Sequence, residues 1–436
     1  MPLGDATGGH GHEPSTPTAP PTPAERLPTL DALRGIAALA IVIYHFQHFG
    51  PWFDLSWLGG TGLLHRSYLW VDLFFILSGY VLAHVYAGRI GTAAGPDGRD
   101  RRRAIQAFWV ARIAKLYPLH LTALLMIAAL AASGLVEGDD PREGRCYGGG
   151  NLVASLLLVQ AWGTTGGLCW NVPSWSISAE MGAYFLFPLL LPLVRRLERP
   201  LFLLLPLPLI GLLVWLVEGP GGGRLSLHYD FGMVRCLPSF ILGLWLQRLC
   251  GGQGAGPGAR PGAGAGPIRC LTGDGGCLAV LAALLVSLHV QAHDALSVAV
   301  MGVLVGCVAV NRGRVRRLSA TRLPLWLGAI SYAVYLLHWP LLLATHGLLG
   351  HLFPDQAGWP PGRGSEMGLY AAYLTLLLAL ATLCHHRLEG PARRWLRRRL
   401  GGEDDRRPTG HGACQTPPPA PKRSATVSAR RTPIKP

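Results

Sequence analysis

Charged and titratable side chains inside long apolar stretches are costly, so they mark function or polar contacts between helices. This chain has a short set of them. The stretch Leu30–Phe46 carries Asp31 and Arg34 near its start and His45 eleven residues after the arginine. Eleven residues are close to three helical turns, about 16 Å, so Arg34 and His45 project from one face. A cation at the mouth and an imidazole at depth suit a path for an anionic donor that ends at a base. A snorkelling arginine with a core histidine bonded to another helix is the alternative for this stretch. In Trp70–Tyr80, Asp72 lies near the outer end, where it could act in catalysis or cap a helix, while Ser78 and Gly79 admit a close neighbour. Arg112 and Lys115 stand one turn apart, matching phosphates or serving as ordinary flanking charge. Glu180 follows three serines and could pair with His45 or Arg235, and His338 precedes Pro340 as a second polar group or a structural histidine. Two histidines, carboxylates and a basic rim together fit proton transfer to an attacking hydroxyl, with docking of a phosphorylated donor.

Such residues need elements that hold them in a membrane. Half of the chain is hydrophobic and 14% is charged, with the charge confined between apolar blocks of transmembrane length. The expected fold is all-α, a polytopic bundle of about ten spans near 30–49, 67–87, 115–136, 174–194, 201–217, 233–249, 277–292, 295–311, 326–349 and 367–387. The apolar stretch Asn151–Trp162 is too short to cross and reads as re-entrant or interfacial. Ten crossings with cytoplasmic termini leave Arg66, Arg142, Arg145, Arg224 and Arg363 on the outer side and Arg235 within a span, so 33 of the 39 Lys and Arg residues fall on the cytoplasmic side. That pattern explains the net charge of +15 and excludes a nucleic-acid partner, which would meet a basic face on a soluble domain. The expected division is a disordered N-terminal tail over 1–25, a membrane domain over 26–395 and a basic, disordered cytoplasmic tail over 396–436, with the first apolar block retained as a span. Residues 251–266 read as a flexible cytoplasmic linker, and the arginines at 393–399 are expected against anionic headgroups. Nine cysteines form no CxxC pair, so no metal site is expected, and Cys146 and Cys169 share one outer segment where a disulfide or two free thiols are both open.

The chain resembles the acyltransferase 3 family, the polytopic membrane acyltransferases that include bacterial O-antigen and exopolysaccharide O-acetylases. The resemblance runs in order through LDALRGIAALAIVIYH, WVDLFFILSGYVL, RIAKLYPLH, WSISAE, RCLPSFILGLWL, GAISYAVYLLHWP and LEGPARR. It implies an acyl-CoA-dependent enzyme with Arg34 and His45 as the family's R-x10-H pair and Arg112 and Lys115 on the CoA side, Lys115 replacing the usual second arginine. On this reading acyl-CoA, expected to be acetyl-CoA, is a donor substrate and no cofactor is permanently bound. Arg34, Arg112 and Lys115 hold its phosphates. His45 is base or nucleophile, Glu180 or Asp72 orients it, and His338 belongs to the acceptor site. The partners are the lipid bilayer of the inner or plasma membrane and a carbohydrate or glycoside hydroxyl. A secondary transporter is the competing class, since intramembrane His, Glu and Arg with broken helices also describe one. The halves show no internal repeat, and both residues of the R-x10-H pair are intact, which disfavours a transporter and an inert scaffold respectively.

Overall fold

The computed structural model describes residues 27–49, 61–90, 99–136, 146–251, 270–353 and 363–400. Every described regular element is helical: α1 (Pro28–Phe49), α2 (Gly62–His65), α3 (Trp70–Ile90), α4 (Arg99–Ala132), α5 (Gly149–Leu156), α6 (Trp175–Arg196), α7 (Arg199–Leu204), α8 (Pro206–Glu218), α9 (Gly232–Gly251), α10 (Asp274–His289), α11 (Asp294–Val310), α12 (Arg314–Ser319), α13 (Arg322–Leu352), α14 (Arg363–Cys384) and α15 (Gly390–Leu400). Short 3-10 turns at Ser67–Leu69 and Val172–Ser174 lead into α3 and α6, and a π turn, His385–Glu389, joins α14 to α15. The all-helical membrane bundle expected from the sequence is the fold. Leu125, Leu189, Leu193 and Leu207 lie on its outside, each at least 60% exposed, a surface that suits lipid.

Seven segments are long and apolar enough to cross a membrane, among them Pro28–His48, Ser67–Gly88, Arg199–Glu218 and Ser365–Leu400. The α10 and α11 helices have 16 and 17 residues, short of the roughly 20 that an upright crossing needs, and α9 carries buried Arg235. Three boundaries differ from expectation. The third span was expected to start at Lys115, yet α4 begins at Arg99 and runs 34 residues, which places Arg112 and Lys115 inside a helix rather than in front of one. The segment 201–217 is split between α7 and α8, with Pro206 opening α8. The basic tail stays helical to Leu400, five residues beyond the expected boundary at 395. The tails over 1–25 and 401–436 and most of the 251–266 linker lie outside the described residues.

The short stretch 151–162 forms only the two-turn helix α5 and an irregular return. It is tied to the start of α6 by Trp162 Nε1 donating to Ser178 O at 2.9 Å and by Ala161 N donating to Ser178 Oγ at 3.0 Å. Cys146 and Cys169 form a disulfide that closes the same segment.

Two glycine-mediated crossings set the centre of the bundle. α3 lies along α9 with Gly79 against the Phe240 carbonyl and Gly243 against the backbone of Ile76 and Tyr80, leaving no room for a Cβ at either position. α1 lies along α13, with Gly35 against Leu327 and Gly328 and with Gly328 against the Asp31 backbone. His45 and His338 each lie ten residues beyond their helix's contact glycine. The two helices run in the same direction, so equal rises of about 15 Å bring the two imidazoles to one level.

Candidate active site

A partly open cavity of about 700 Å³ is enclosed by α1, α3, α4, α6 and α13. Arg34, Arg112, Lys115 and Glu180 all line it, so four side chains from three helices and distant parts of the sequence share one space. Its remaining wall is mixed: Ser78, Ser176, Ser331, Tyr332 and Tyr335 supply hydroxyls, and Phe74, Phe75, Val81, Leu82, Leu116 and Ile177 supply apolar surface. Arg34 has a loose ion pair with Asp31, 3.7 Å away on the same helix. The Arg112 guanidinium lies 6.0 Å from the Phe108 ring centroid and 5.8 Å from that of Tyr184, and its buried Nε has no hydrogen-bond partner among the described residues. Tyr184 lies one turn after Glu180 on α6, and its hydroxyl lies 3.3 Å from Ser78 Oγ. A cavity lined by three cations and by apolar side chains can hold a ligand with an anionic part and an apolar one.

The histidines sit past the far wall. Tyr335 lines the cavity, donates its hydroxyl to Pro173 O at 2.9 Å, lies 2.7 Å from Ser176 Oγ, and has its ring centroid 5.9 Å from that of His338. Neither histidine lines the cavity. His338 is fully buried and His45 is half-buried, and His338 Nε2 lies 3.2 Å from His45 Nδ1.

The backbone decides where the protons are. A carbonyl only accepts, so His338 Nδ1, 3.2 Å from Val334 O, carries the hydrogen, which leaves a lone pair on Nε2. His45 Nδ1, 3.0 Å from Ile41 O, is likewise protonated and shares its hydrogen between that carbonyl and His338 Nε2. His45 Nε2 therefore holds the basic lone pair. When it takes a proton, the resulting imidazolium keeps an N–H directed at His338, the part played by a carboxylate in hydrolytic triads. Tyr373 adds a 2.6 Å bond from its hydroxyl to the His338 carbonyl.

The carboxylates are placed elsewhere. Asp72 is fully buried against Arg235, whose Nη2 lies 2.6 Å from Asp72 Oδ2, and Ser239 Oγ lies 3.5 Å from Oδ1. The same guanidinium donates to the carbonyls of Tyr68 and Leu227 and lies 5.1 Å from the Trp175 ring centroid. Of the two pairings open to Glu180, Arg235 is thus taken by Asp72, and Glu180 faces Lys115 and Tyr184 in the cavity. On the loop before α9, burial and the neighbouring Arg235 push the His228 imidazole down to about 3, so it stays neutral, its ring centroid 4.9 Å from that of Trp175. Among the described residues no group of three or more His, Cys, Asp or Glu side chains gathers to hold a metal.

Sequence reasoning quoted Ser331, Tyr332 and Tyr335 within a motif but gave them no role. Ser331, Tyr335 and His338 are spaced i, i+4, i+7, a signal that they share one helix face.

Comparison with known proteins fits this geometry. The family described as an acyltransferase domain matches residues 27–386. The chain belongs to the acyltransferase 3 family. The chain is similar to acyltransferase MdmB of Streptomyces mycarofaciens, at 39% identity over 39% of this chain and 41% of that one. It is also similar to the peptidoglycan O-acetyltransferase OatA of Listeria monocytogenes, at 22% identity over 74% of this chain and 50% of OatA. The chain thus spans half or less of the length of these two relatives. No solved structure matches it. Family membership and the apolar helices make this acyltransferase 3 chain a multi-pass membrane protein.

Proposed function

We propose that the protein is an O-acyltransferase that moves an acyl group, acetyl in the simplest case, from acyl-CoA to a hydroxyl of a carbohydrate or glycoside. The observation that carries the reading is the alignment of a cation-lined cavity with a histidine pair one aromatic side chain beyond it. Arg34, Arg112 and Lys115 take the donor's anionic end, and the pantetheine arm follows the cavity's apolar side chains toward Tyr335. His45 Nε2 removes the acceptor's hydroxyl proton as that oxygen attacks the thioester carbonyl. The new C–O bond forms, the C–S bond breaks, and the imidazolium returns its proton to the departing thiolate. His338 Nε2 accepts from His45 Nδ1 throughout and holds the ring in place. Glu180 keeps Lys115 and Tyr184 in position in this scheme, and Asp72 fixes α3 to α9. Attack by His45 on the thioester, with an acyl-histidine intermediate, uses the same groups.

The ten-span arrangement, with α9, α10 and α11 crossing and both termini on the cytoplasmic face of the inner or plasma membrane, belongs to this proposal. Reporter fusions after Arg199 and Arg317 should both report cytoplasm. The enzymatic test is acetyl-CoA consumption by purified protein with an added sugar acceptor. Release of free CoA together with acetylated acceptor supports transfer. Binding of the acceptor with no thioester cleavage returns the chain to the transporter class.

A further inference from the structure

The C-terminal helix α15 has no part in the chemistry described so far. It carries Arg393, Arg394, Arg397, Arg398 and Arg399 and no acidic residue, yet it packs against α4, which is itself basic around Arg101, Arg102, Arg103 and Arg112. Two cationic surfaces in contact need an anion or a carboxylate between them. The turn before α15 supplies a carboxylate. The π turn His385–Glu389 turns Glu389 inward, where it is 9% exposed and faces both Lys115 and Arg393. Arg393 in turn faces Arg112 and Arg397 as well as Glu389. The cations still outnumber the carboxylates. Glu389 Oε1 at this junction and Arg112 Nε in the wall of the cavity are both buried with no hydrogen-bond partner among the described residues. Buried orphan atoms of opposite polarity beside excess cation describe a place for a ligand with both acceptor and donor groups. A π turn in an otherwise regular helix is a common mark of such places.

We propose that Arg393 of α15 and Arg112 of α4 form a subsite for the phosphorylated nucleotide end of the donor, at the mouth of the cavity lined by Arg34 and Lys115. The proposal rests on the acyl-CoA reading above. A nucleotide is the occupant because the junction adjoins the cavity lined by Arg112 and Lys115, where the donor's anionic end is placed, and it brings hydroxyl and amino donors for the Glu389 carboxylate as well as phosphates for the arginines. The subsite lengthens the donor path from the cavity to the membrane surface and gives the end of the chain a role in substrate binding.

The test uses the full chain in zwitterionic nanodiscs, with acetyl-CoA and acetyl-pantetheine compared as donors and 3′,5′-ADP as a binding probe. Arg393→Ala should raise KM for acetyl-CoA and weaken 3′,5′-ADP binding by about tenfold, the scale of one charge-assisted contact. Its kcat and its KM for acetyl-pantetheine should stay unchanged, because that donor has no nucleotide. Arg393→Lys should fall between, keeping charge and losing the fork. Arg398→Ala, on exposed α15 surface, should match the wild type. Equal effects on the two donors, or none on 3′,5′-ADP binding, would overturn the subsite while transfer from acetyl-CoA still stood. A defect that disappears in zwitterionic discs and shows only with added phosphatidylglycerol would assign Arg393 to headgroups instead. A wild type that cleaves neither thioester would overturn the acyl-CoA reading itself, and 3′,5′-ADP binding would then decide the subsite alone.

Discussion

Arg235 and Arg112 are both arginines on helices of one bundle, and they are held in opposite ways. Arg235 is fully buried, bonded to Asp72 and to two carbonyls and set near the Trp175 ring, so its charge is neutralised and its donors are engaged. Arg66 is likewise paired with a carboxylate, that of Asp294, which also accepts from Tyr68 and from the Leu225 backbone, although its buried Nε has no partner among the described residues. Arg112 touches two aromatic rings, keeps an unpartnered Nε and shares its surroundings with Lys115 and Arg393. A saturated cation fixes helices to each other, whereas an unsaturated cation among other cations is kept for something that arrives. Position in a span does not separate the two kinds; a carboxylate held against the guanidinium does.

The largest effect is expected where the comparison is most severe. Arg235→Ala leaves a buried carboxylate with no counter-charge, a loss of about 3–5 kcal/mol in stability. Thermal unfolding in detergent should show it, and Arg235→Met with Asp72→Leu should recover much of the loss. If the single variant melts like the wild type, the ion pair is no structural tie.

His45→Ala is expected next, with turnover down at least about 100-fold and the protein still folded. His338→Ala should reduce turnover by about tenfold or more, and the double variant should be no worse than His45→Ala, since groups acting as a unit are not additive. Independent, multiplying losses would separate the two histidines.

Arg34→Ala should have the smallest effect: KM for the donor up by about tenfold, kcat nearly kept, and activity returning at high acyl-CoA. A fall in kcat alone, measured at saturating donor, would move Arg34 from the arriving-ligand class to the catalytic one.

The helical membrane fold was legible because apolar blocks of spanning length and charge restricted to their ends leave few alternatives. Arg34, Arg112, Lys115 and Glu180 were legible as candidates, and the cavity gathers them. The partner of His45 was not: Glu180 and Asp72 were both offered, and the geometry brings His338 to its Nδ1. Spacing within a helix gives a face but says nothing of which helix lies opposite, and that depended on the meeting of Gly35 with Gly328. Glu389 fell within the quoted LEGPARR motif but had no role there, for a related reason. Its direction is set by a π turn, an irregularity with no simple sequence rule.

The glycine crossing has a consequence for how such a molecule can change. Both imidazoles are measured off from Gly35 and Gly328, ten residues before them on their helices. The segments beyond them take no part in that measurement. Lengthening or exchanging the connections that follow these helices therefore leaves the histidine pair in register, while a single residue inserted between Gly35 and His45 would swing the ring by about 100° and break it. The level at which the two rings meet is thus set by one end of each helix, and the rest of the chain can vary without moving it.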